Sequence, residues 1–275
     1  MTLTRGEVLD LLERYQLRPS RALGQNFVTD PNTVRRIARL AGVGPGDQVI
    51  EVGAGLGSLT LALAETGASV TAVETDRYLL PVLRAVVESA AVDVVEGDAL
   101  RLDWPALLGD GRWVLVANLP YNIATPLLIE LLERAPGIER MLVMVQREVA
   151  ERLAAPPGTH ARGGVSVKIE YWASTAVVGR VPATVFVPRP KVESALVLLE
   201  RRSEPPVDAD RAGLFRLVDA AFGQRRKMLR RSLAGAIDLA CFDDAGVAPS
   251  ARPEELTLDE WARLNRCASS TPPPS

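Results

Sequence analysis

The chain has 275 residues, enough for one large α/β domain with a smaller one beside it. Apolar residues make up 47% of it and supply a sizeable core, while charged residues make up 24%, an ordinary share for a globular protein. The formal net charge of −2 argues weakly against a nucleic-acid partner unless the positive charges are clustered. Because the sequence has neither a long apolar run nor an apolar signal segment, we expect a cytoplasmic protein without a membrane span.

Histidine and cysteine limit the chemistry that the chain can perform. The one histidine, His160, lies in a loop rich in proline and glycine, which disfavours a catalytic triad and a metal site with several histidine ligands. The two cysteines, Cys241 and Cys267, have neither metal-binding nor redox spacing, so we expect free thiols in a reducing cytosol. We therefore predict no metal centre.

The N-terminal segment predicts two helices separated by a basic loop. Thr4 and Glu7 have the spacing of a capping box and indicate a short leading helix. After the loop RPSRALGQNF, Asp30 and Pro31 are typical of a helix start, and the pattern predicts a helix to about Leu40.

From Gln48 onward, short Val-rich runs alternate with helical patterns. The runs lack strict alternation, as expected for parallel strands that are buried on both faces. They are QVIEVG, SVTAVET, AVDVVEG, WVLVANL and MLVMVQ, and the helical patterns between them are GSLTLALAET, DRYLLPVLRAVVES and TPLLIELLERA. This succession predicts an α/β fold with a doubly wound sheet.

The C-terminal half predicts a change from sheet to helices. SVKIEYWAS and SALVLLERR resemble two further strands, and the proline-punctuated VPATVFVPRPKVES between them predicts a loop. SEPPVDAD resembles a linker, and only helical patterns follow it, from about Asp210 to Asn265. We predict a sheet domain over residues 1–202, a helical domain over 208–267 and a disordered tail over 268–275.

The segment EVGAGLGSLTLAL, after the first of these strands, contains closely spaced glycines. Gly53, Gly55 and Gly57 allow a sharp strand-to-helix turn and let the backbone approach a ligand. Dinucleotide-binding proteins usually have G-x-G-x-x-G, but Ser58 occupies the position of the third glycine. The pattern E-x-G-x-G-x-G instead resembles the first motif of class I methyltransferases, although a turn without a ligand would also account for it.

Acidic residues end the next two strands. Glu74, at the end of VTAVETD, can accept hydrogen bonds from two ribose hydroxyls, or it can cap the next helix. Asp98, in EGDAL, can accept from the amino group of a cofactor adenine, or it can be a turn aspartate. Nicotinamide and methionine cofactors both carry an adenosine, so these residues do not separate them.

The tetrapeptide Asn118-Leu119-Pro120-Tyr121 follows the fourth strand. An exocyclic adenine amine is a poor nucleophile because its lone pair is conjugated with the ring. The Asn118 side-chain oxygen and the Leu119 carbonyl could accept its two N–H groups and direct the lone pair at a methyl group, while Pro120 stiffens the turn. Tyr121 offers a ring face for a flipped base. The alternative is a structural turn with a core tyrosine.

Together these segments resemble the ribosomal RNA adenine N6-dimethyltransferases, and the small-subunit (16S rRNA) type, KsgA/RsmA, in particular. The resemblance extends from about Arg21 to Leu233. It includes LGQNF, EVGAGLGSLT, VETD, EGDAL, NLPYNIATPLL, FVPRPKVES and FGQRRKMLRRSL. Jointly these motifs are highly specific.

The resemblance implies a Rossmann-like class I methyltransferase domain with a doubly wound mixed sheet, followed by a small all-helical domain. It implies that S-adenosyl-L-methionine supplies methyl groups to two adjacent adenines near the 3′ end of 16S rRNA, two groups to each, during assembly of the small ribosomal subunit. We expect a monomer. The implied cofactor contacts are Asn26, Val28, Gly53, Gly55, Glu74, Asp98 and Asn118. The family usually has leucine at the position of Val28, where only a backbone contact is expected.

The implied catalytic residues are the turn from Asn118 to Tyr121 and Phe186, which matches a family aromatic that sandwiches the base against Tyr121. A core-packing role is the alternative for Phe186. RNA binding is expected from the run FGQRRKMLRRSL, whose spacing wraps much of a helix and whose charges are all positive. Its cations are Arg225, Arg226, Lys227, Arg230 and Arg231.

Other functions remain open at this point. The sister family that dimethylates a large-subunit rRNA adenine and confers macrolide resistance shares the glycine loop and a similar Asn-x-Pro-Tyr. A non-catalytic nucleic-acid-binding relative could keep the fold, although the intact NLPY argues against lost chemistry. A DNA adenine methyltransferase is disfavoured because no target-recognition domain is visible. A nicotinamide oxidoreductase is disfavoured by Ser58 and by the lack of a well-placed proton donor.

Overall fold

The computed structural model describes residues 2–120 and 123–270, of which residues 269 and 270 are described in backbone only. The chain forms two compact units. The first comprises Met1–Ala150 and Ala176–Arg201, and the second comprises Glu151–Thr175 and Arg202–Ser275. Residues 151–175 thus belong to the second unit, whereas the predicted boundary lay near residue 202.

The described residues form twelve α-helices. They are α1 Arg5–Arg14, α2 Pro31–Ala41, α3 Ser58–Ala64, α4 Leu80–Val87, α5 Trp104–Leu108, α6 Ala124–Arg134, α7 Arg147–Leu153, α8 Gly164–Trp172, α9 Arg211–Gly223, α10 Leu229–Ser232, α11 Leu239–Asp244 and α12 Leu258–Ser270. The helix α12 therefore extends past residue 268, where the tail was predicted to begin. None of these helices is long and apolar enough to cross a membrane.

Nine strands, counted over the described ranges, form two sheets. The strands are β1 Phe27–Val28, β2 Gln48–Val52, β3 Ser69–Glu74, β4 Val92–Glu96, β5 Trp113–Asn118, β6 Ile138–Gln146, β7 Ala173–Val181, β8 Phe186–Val187 and β9 Ser194–Arg201. Seven of them form one sheet in the order β4-β3-β2-β5-β6-β9-β7. The pairs from β4 to β6 are parallel and β6 pairs with β9 antiparallel, so the sheet is mixed and doubly wound, as predicted.

Local sequence explains the two N-terminal helices. Thr4 and Glu7 form the reciprocal capping box that starts α1, and the Asp30 side chain accepts from the Thr33 amide at the start of α2, with Pro31 at the first helical position. Gly42 ends α2 in the left-handed conformation that glycine adopts without strain. Both predicted helices are confirmed.

Each unit has its own hydrophobic core. In the first unit, Val34 and Ile37 of α2 pack with Leu63 of α3 and with strand residues such as Val49 and Leu142. In the second unit, the buried residues of α8 and α9 pack with those of α12, and Trp261 is fully buried among them. This unit matches the predicted helical character of the C-terminal part.

Two predictions about residues 164–187 are wrong. SVKIEYWAS was predicted as a strand, but only its last two residues lie in one, β7, and the rest lies in α8. In α8, Val167 and Tyr171, one helical turn apart, pack on the core of the second unit. Tertiary packing here outweighs the β propensity of the valines and aromatics. The predicted loop VPATVFVPRPKVES contains the short strand β8, in which Phe186 pairs with Val28 of β1.

The C-terminal unit also differs from expectation at its cysteines and its basic run. Cys241 of α11 and Cys267 of α12 form a disulfide with a Cα–Cα distance of 5.6 Å, so they are not the predicted free thiols. The basic run does not lie along one helix, because α9 ends at Gly223 and residues 224–228 form a turn before α10. The Lys227 amide donates to the Gln224 carbonyl within that turn.

Candidate active site

A cavity of about 250 Å³ lies at the carboxyl ends of β2, β3 and β5 in the first unit. The chain runs from β2 outward to β4 on one side and from β5 to β6 on the other, so β2 and β5 meet where the strand order reverses. Ligands of open α/β sheets bind in the crevice at such a point. The loop before β1 and the segment that follows β4 complete the cavity wall.

The glycine loop has the backbone conformation that its sequence predicted. Gly53 and Gly55 have φ angles of 75° and 60°, a region that residues with a side chain rarely adopt. A Cβ atom on Gly55 would lie 3.1 Å from the ring of Phe27. Both glycines line the cavity, so the loop places backbone rather than side chains against a ligand.

Glu74 ends β3 in the cavity wall and is buried. Its Oε2 accepts from the Gly55 amide at 2.7 Å, and its Oε1 accepts from the amides of Thr75 and Asp76 at 2.9 and 2.8 Å. Burial raises the pKa of Glu74, and these three amides act against that rise. The carboxylate therefore ties the glycine loop to the end of β3 as well as facing the cavity.

Asp98 follows β4, the neighbour of β3 in the sheet, and is more exposed than Glu74. Its Oδ1 accepts from the Leu100 amide at 3.0 Å, and its carboxylate is 3.5 Å from the Arg101 guanidinium. Asp98 is thus held as a turn aspartate and also lines the cavity, so both roles considered for it are compatible.

Asn118 and Asn26 are brought together although 92 residues separate them. The Asn118 side-chain Nδ2 donates to the Asn26 carbonyl at 3.1 Å, and both residues line the cavity. Within the described residues, no donor reaches the Asn118 side-chain oxygen or the Leu119 carbonyl. As far as the described residues show, the turn therefore presents two acceptor oxygens without donors, while the Pro120 carbonyl accepts from the amides of Ile123 and Ala124 at the start of α6.

Sequence reasoning missed two polar residues of the cavity wall. Glu51, two residues before Gly53, is only 1% exposed, and its Oε2 accepts from the Thr60 hydroxyl at 2.5 Å. Ser58 is buried, and its hydroxyl has no hydrogen-bond partner within the described part of the chain. Glu51 is the acidic first residue of the motif E-x-G-x-G-x-G. The sequence analysis used it to identify the motif but did not predict that its side chain lines the cavity.

The charged residues that line the cavity, among those that the structure describes, are all acidic. Its charged lining residues, within the ranges that the structure describes, are the three carboxylates of Glu51, Glu74 and Asp98, with no lysine or arginine among them. Burial raises the pKa of Glu51 to about 8, against the Thr60 hydrogen bond, and the negative charge of Glu74 adds to the rise. Such a wall favours a ligand that carries positive charge.

The structure places the remaining predicted site residues differently. Val28 lines the cavity from β1. Phe186 is 1% exposed and packs in the core with Val34 and Ile37, so in this structure it has no free ring face for a base. Tyr121 lies outside the described residues.

The basic run belongs to the second unit and its members are not equivalent. Arg225 donates to the His160 carbonyl and lies 3.7 Å from the Glu254 carboxylate, so its charge is used inside that unit. The other four cations are exposed and have no acidic partner among the described residues: Arg226, Lys227, Arg230 and Arg231. Of the five cations predicted to bind RNA, Arg225 is therefore the one whose charge is already used within the unit.

The mixed sheet, the left-handed glycine loop and the acidic residue at the end of β3 are typical of methyltransferases of the Rossmann-like class. The model of the family Ribosomal RNA adenine dimethylase matches residues 17–269. The chain belongs to this family.

Individual relatives agree with this assignment. The ribosomal RNA small subunit methyltransferase A of Streptomyces coelicolor is 50% identical over 270 residues, which cover 94% of each chain. The protein of the same name from Kineococcus radiotolerans is 48% identical over 94% of this chain and 89% of its own. Among solved structures, the 23S rRNA methyltransferase ErmE has a TM-score of 0.69 and 28% identity, covering 89% of this chain and 100% of its own. A dimethyladenosine transferase from Plasmodium falciparum has a TM-score of 0.74 at 22% identity, covers 86% and 95% of the two chains, and supports the fold alone.

Proposed function

We propose that this chain transfers methyl groups from S-adenosyl-L-methionine to the N6 atoms of two adjacent adenines near the 3′ end of 16S rRNA. The observation that carries the proposal is the pair of acceptor oxygens, on Asn118 and Leu119, at the wall of an acid-lined cavity. The relatives named small subunit methyltransferase A, at about half identity along the whole chain, favour 16S over 23S rRNA.

The cavity residues fit the cofactor. Glu74 keeps lone pairs for a ribose diol, and Asp98 keeps one carboxylate oxygen free of backbone bonds for an amino group. Gly53 and Gly55 leave room for the methionine chain of the cofactor because neither has a side chain. When bound, the cofactor supplies a methyl group on a positively charged sulfur, which is a good leaving group.

The chain's own task is then to position and orient the adenine amine. The Asn118 amide is held by the Asn26 carbonyl, so its oxygen and the Leu119 carbonyl can accept the two N–H groups together. That arrangement turns the nitrogen lone pair away from the ring. The proton that leaves the methylated amine can pass to water, because the nitrogen becomes acidic once it is alkylated. Tyr121 supplies the stacking face in this proposal.

For the RNA, we assign the exposed cations from Arg226 to Arg231 to phosphate contacts. The substrate is 16S rRNA within an assembling small subunit in the cytoplasm, and the enzyme acts as a monomer. These assignments rest on the family and on the exposure of the cations.

The test compares rRNA from cells with and without the gene. Mass mapping should find two methyl groups on each of two adjacent 16S adenines only when the gene is present, and Asn118→Ala should not restore them. Methyl groups that depend on the gene but lie in 23S rRNA would favour the macrolide-resistance type of enzyme. Unchanged modification of both rRNAs would contradict the proposed activity.

A further inference from the structure

The buried carboxyl group of Glu51 has no role in the transfer described above. Glu51 lies on β2 opposite Ala72 of β3 and Val116 of β5. It comes two residues before Gly53, which follows β2, and its partner Val116 comes two residues before Asn118, which ends β5. A strand advances about 3.3 Å per residue. The methyl group must be presented at the ends of these strands, so Glu51 lies about two residues away from it along the strand. Asp98, which follows the outermost strand, β4, lies farther from Glu51.

The two oxygens of this carboxyl are not equivalent. Oε2 accepts from Thr60 of α3, whereas Oε1 has no donor within the described residues, although Glu51 lines the cavity and is 1% exposed. Oε1 is therefore the oxygen of Glu51 that is available to a ligand in the cavity. The titratable groups that share the cavity with Glu51 are Glu74 and Asp98, with Asp76 next to Glu74, and none of them carries a positive charge.

The two cofactor forms that this cavity must tell apart differ by one charge. The methyl donor has a sulfonium, and the product left after transfer, S-adenosylhomocysteine, has a neutral thioether. Their adenosine and amino-acid groups are the same, so the hydrogen bonds of Glu74 and Asp98 cannot separate them. A titratable carboxyl near the sulfur can do so, because only the sulfonium stabilises its ionised form.

We propose that Glu51 makes the cavity prefer the methyl donor over the spent product, because the arriving sulfonium expels the proton of Glu51 and the neutral thioether does not. This inference rests on the proposed function. In the step, the O–H bond of the Glu51 carboxyl breaks, its electron pair stays on the carboxylate, and the proton passes to the buffer. After methyl transfer the sulfur is neutral, Glu51 takes a proton back, and the product loses its electrostatic hold.

Proton release can be measured without RNA and without turnover. Calorimetric titration in buffers of different ionisation enthalpy gives the protons released on binding. At pH 7, S-adenosylmethionine should release close to one proton more from the parent protein than from Glu51→Gln, and S-adenosylhomocysteine should show no such difference. Protons from the ligand's own amino group cancel in that comparison. Sinefungin, which has an ammonium group in place of the sulfonium, should behave like the donor.

The affinities give a second readout. Because burial raises the pKa of Glu51 to about 8, we expect its ionised fraction to rise from about one in eleven at pH 7 to about one half at pH 8. Between pH 7 and pH 8, the affinity of the parent for S-adenosylmethionine should therefore increase by a factor about five times larger than the factor for Glu51→Gln. Glu88→Gln, an exposed charge change outside the cavity, should behave like the parent.

Equal proton release by the parent and Glu51→Gln, or equal release by donor and product in the parent, would overturn the inference. If Glu51→Gln does not fold, the comparison of donor with product in the parent protein still decides. A chain that binds the donor with this proton release but leaves rRNA unmethylated would contradict the proposed function alone. A chain that methylates rRNA without the release would contradict the inference alone.

Discussion

Removing the Glu74 carboxylate tests the cavity most directly, because this group has both a structural and a binding role. In the structure it accepts from three backbone amides, of which the Gly55 amide is buried. Glu74→Ala leaves that amide without an acceptor, which costs about 1–3 kcal/mol of folding stability. The loss of at least one charge-assisted hydrogen bond to the cofactor, about 1.5–3 kcal/mol, predicts an affinity for S-adenosylmethionine that is lower by at least about tenfold.

The chain offers a matched control for this variant. Glu96 of β4 lies directly opposite Glu74 in the register of the sheet, but it is exposed and does not line the cavity. Glu96→Ala should change neither the affinity nor the stability by more than about 0.5 kcal/mol. Urea unfolding gives the stability, and calorimetric titration with S-adenosylmethionine gives the affinity.

The two effects can be separated with Glu74→Gln, which keeps one acceptor oxygen for the backbone but has no charge. Its affinity should lie between those of the parent and Glu74→Ala, and its stability should be closer to that of the parent. If Glu74→Ala binds S-adenosylmethionine as tightly as Glu96→Ala does, Glu74 does not contact the cofactor. If its stability is also unchanged, the reasoning about the glycine loop is wrong as well.

Three further predictions concern other parts of the chain. Reducing the disulfide between Cys241 and Cys267, which are 26 residues apart, should lower the free energy of unfolding by about 3 kcal/mol, and a chain with Cys241→Ser should be insensitive to reductant in the same urea titration. Tyr121→Ala should keep cofactor affinity but lose about 1–3 kcal/mol in the RNA-dependent rate, whereas Tyr121→Phe should keep most activity; equal inactivity of both would show that the hydroxyl is needed. Reversing Arg226 and Lys227 to Glu should weaken rRNA binding and flatten its salt dependence, with cofactor affinity unchanged, and an unmoved salt slope would exclude them from phosphate contacts.

The sheet could be predicted because its signal is local. Parallel strands such as β2 and β5 are buried on both faces, so they appear as short Val-rich runs that end at the glycine loop and at Asn118. The capping residues Thr4 and Asp30 likewise fixed the starts of α1 and α2 from neighbouring residues alone. Cavity-lining residues at strand ends, such as Glu74, followed once the strands were located in the sequence.

The errors arose where distant packing decides the structure. Val167 and Tyr171 have strand-forming side chains, but their burial against α9 and α12 makes a helix of the segment. Two cysteines 26 residues apart carry no spacing signal, because the folding of the second unit alone brings them together. The burial of Glu51 also depends on neighbouring strands and on Thr60, and a pattern of letters does not contain that information.

The net charge of −2 was the weakest guide to function, and the structure shows why. The cavity of the first unit is lined by carboxylates, whereas the second unit has four exposed cations between Arg226 and Arg231 without acidic partners among the described residues. A cationic cofactor and a polyanionic RNA require potentials of opposite sign, and a chain that binds both must separate its charges rather than accumulate one sign. The net charge then says little about the strength of either interaction. For an enzyme that uses this pair of ligands, the informative quantity is the distribution of charge over each unit.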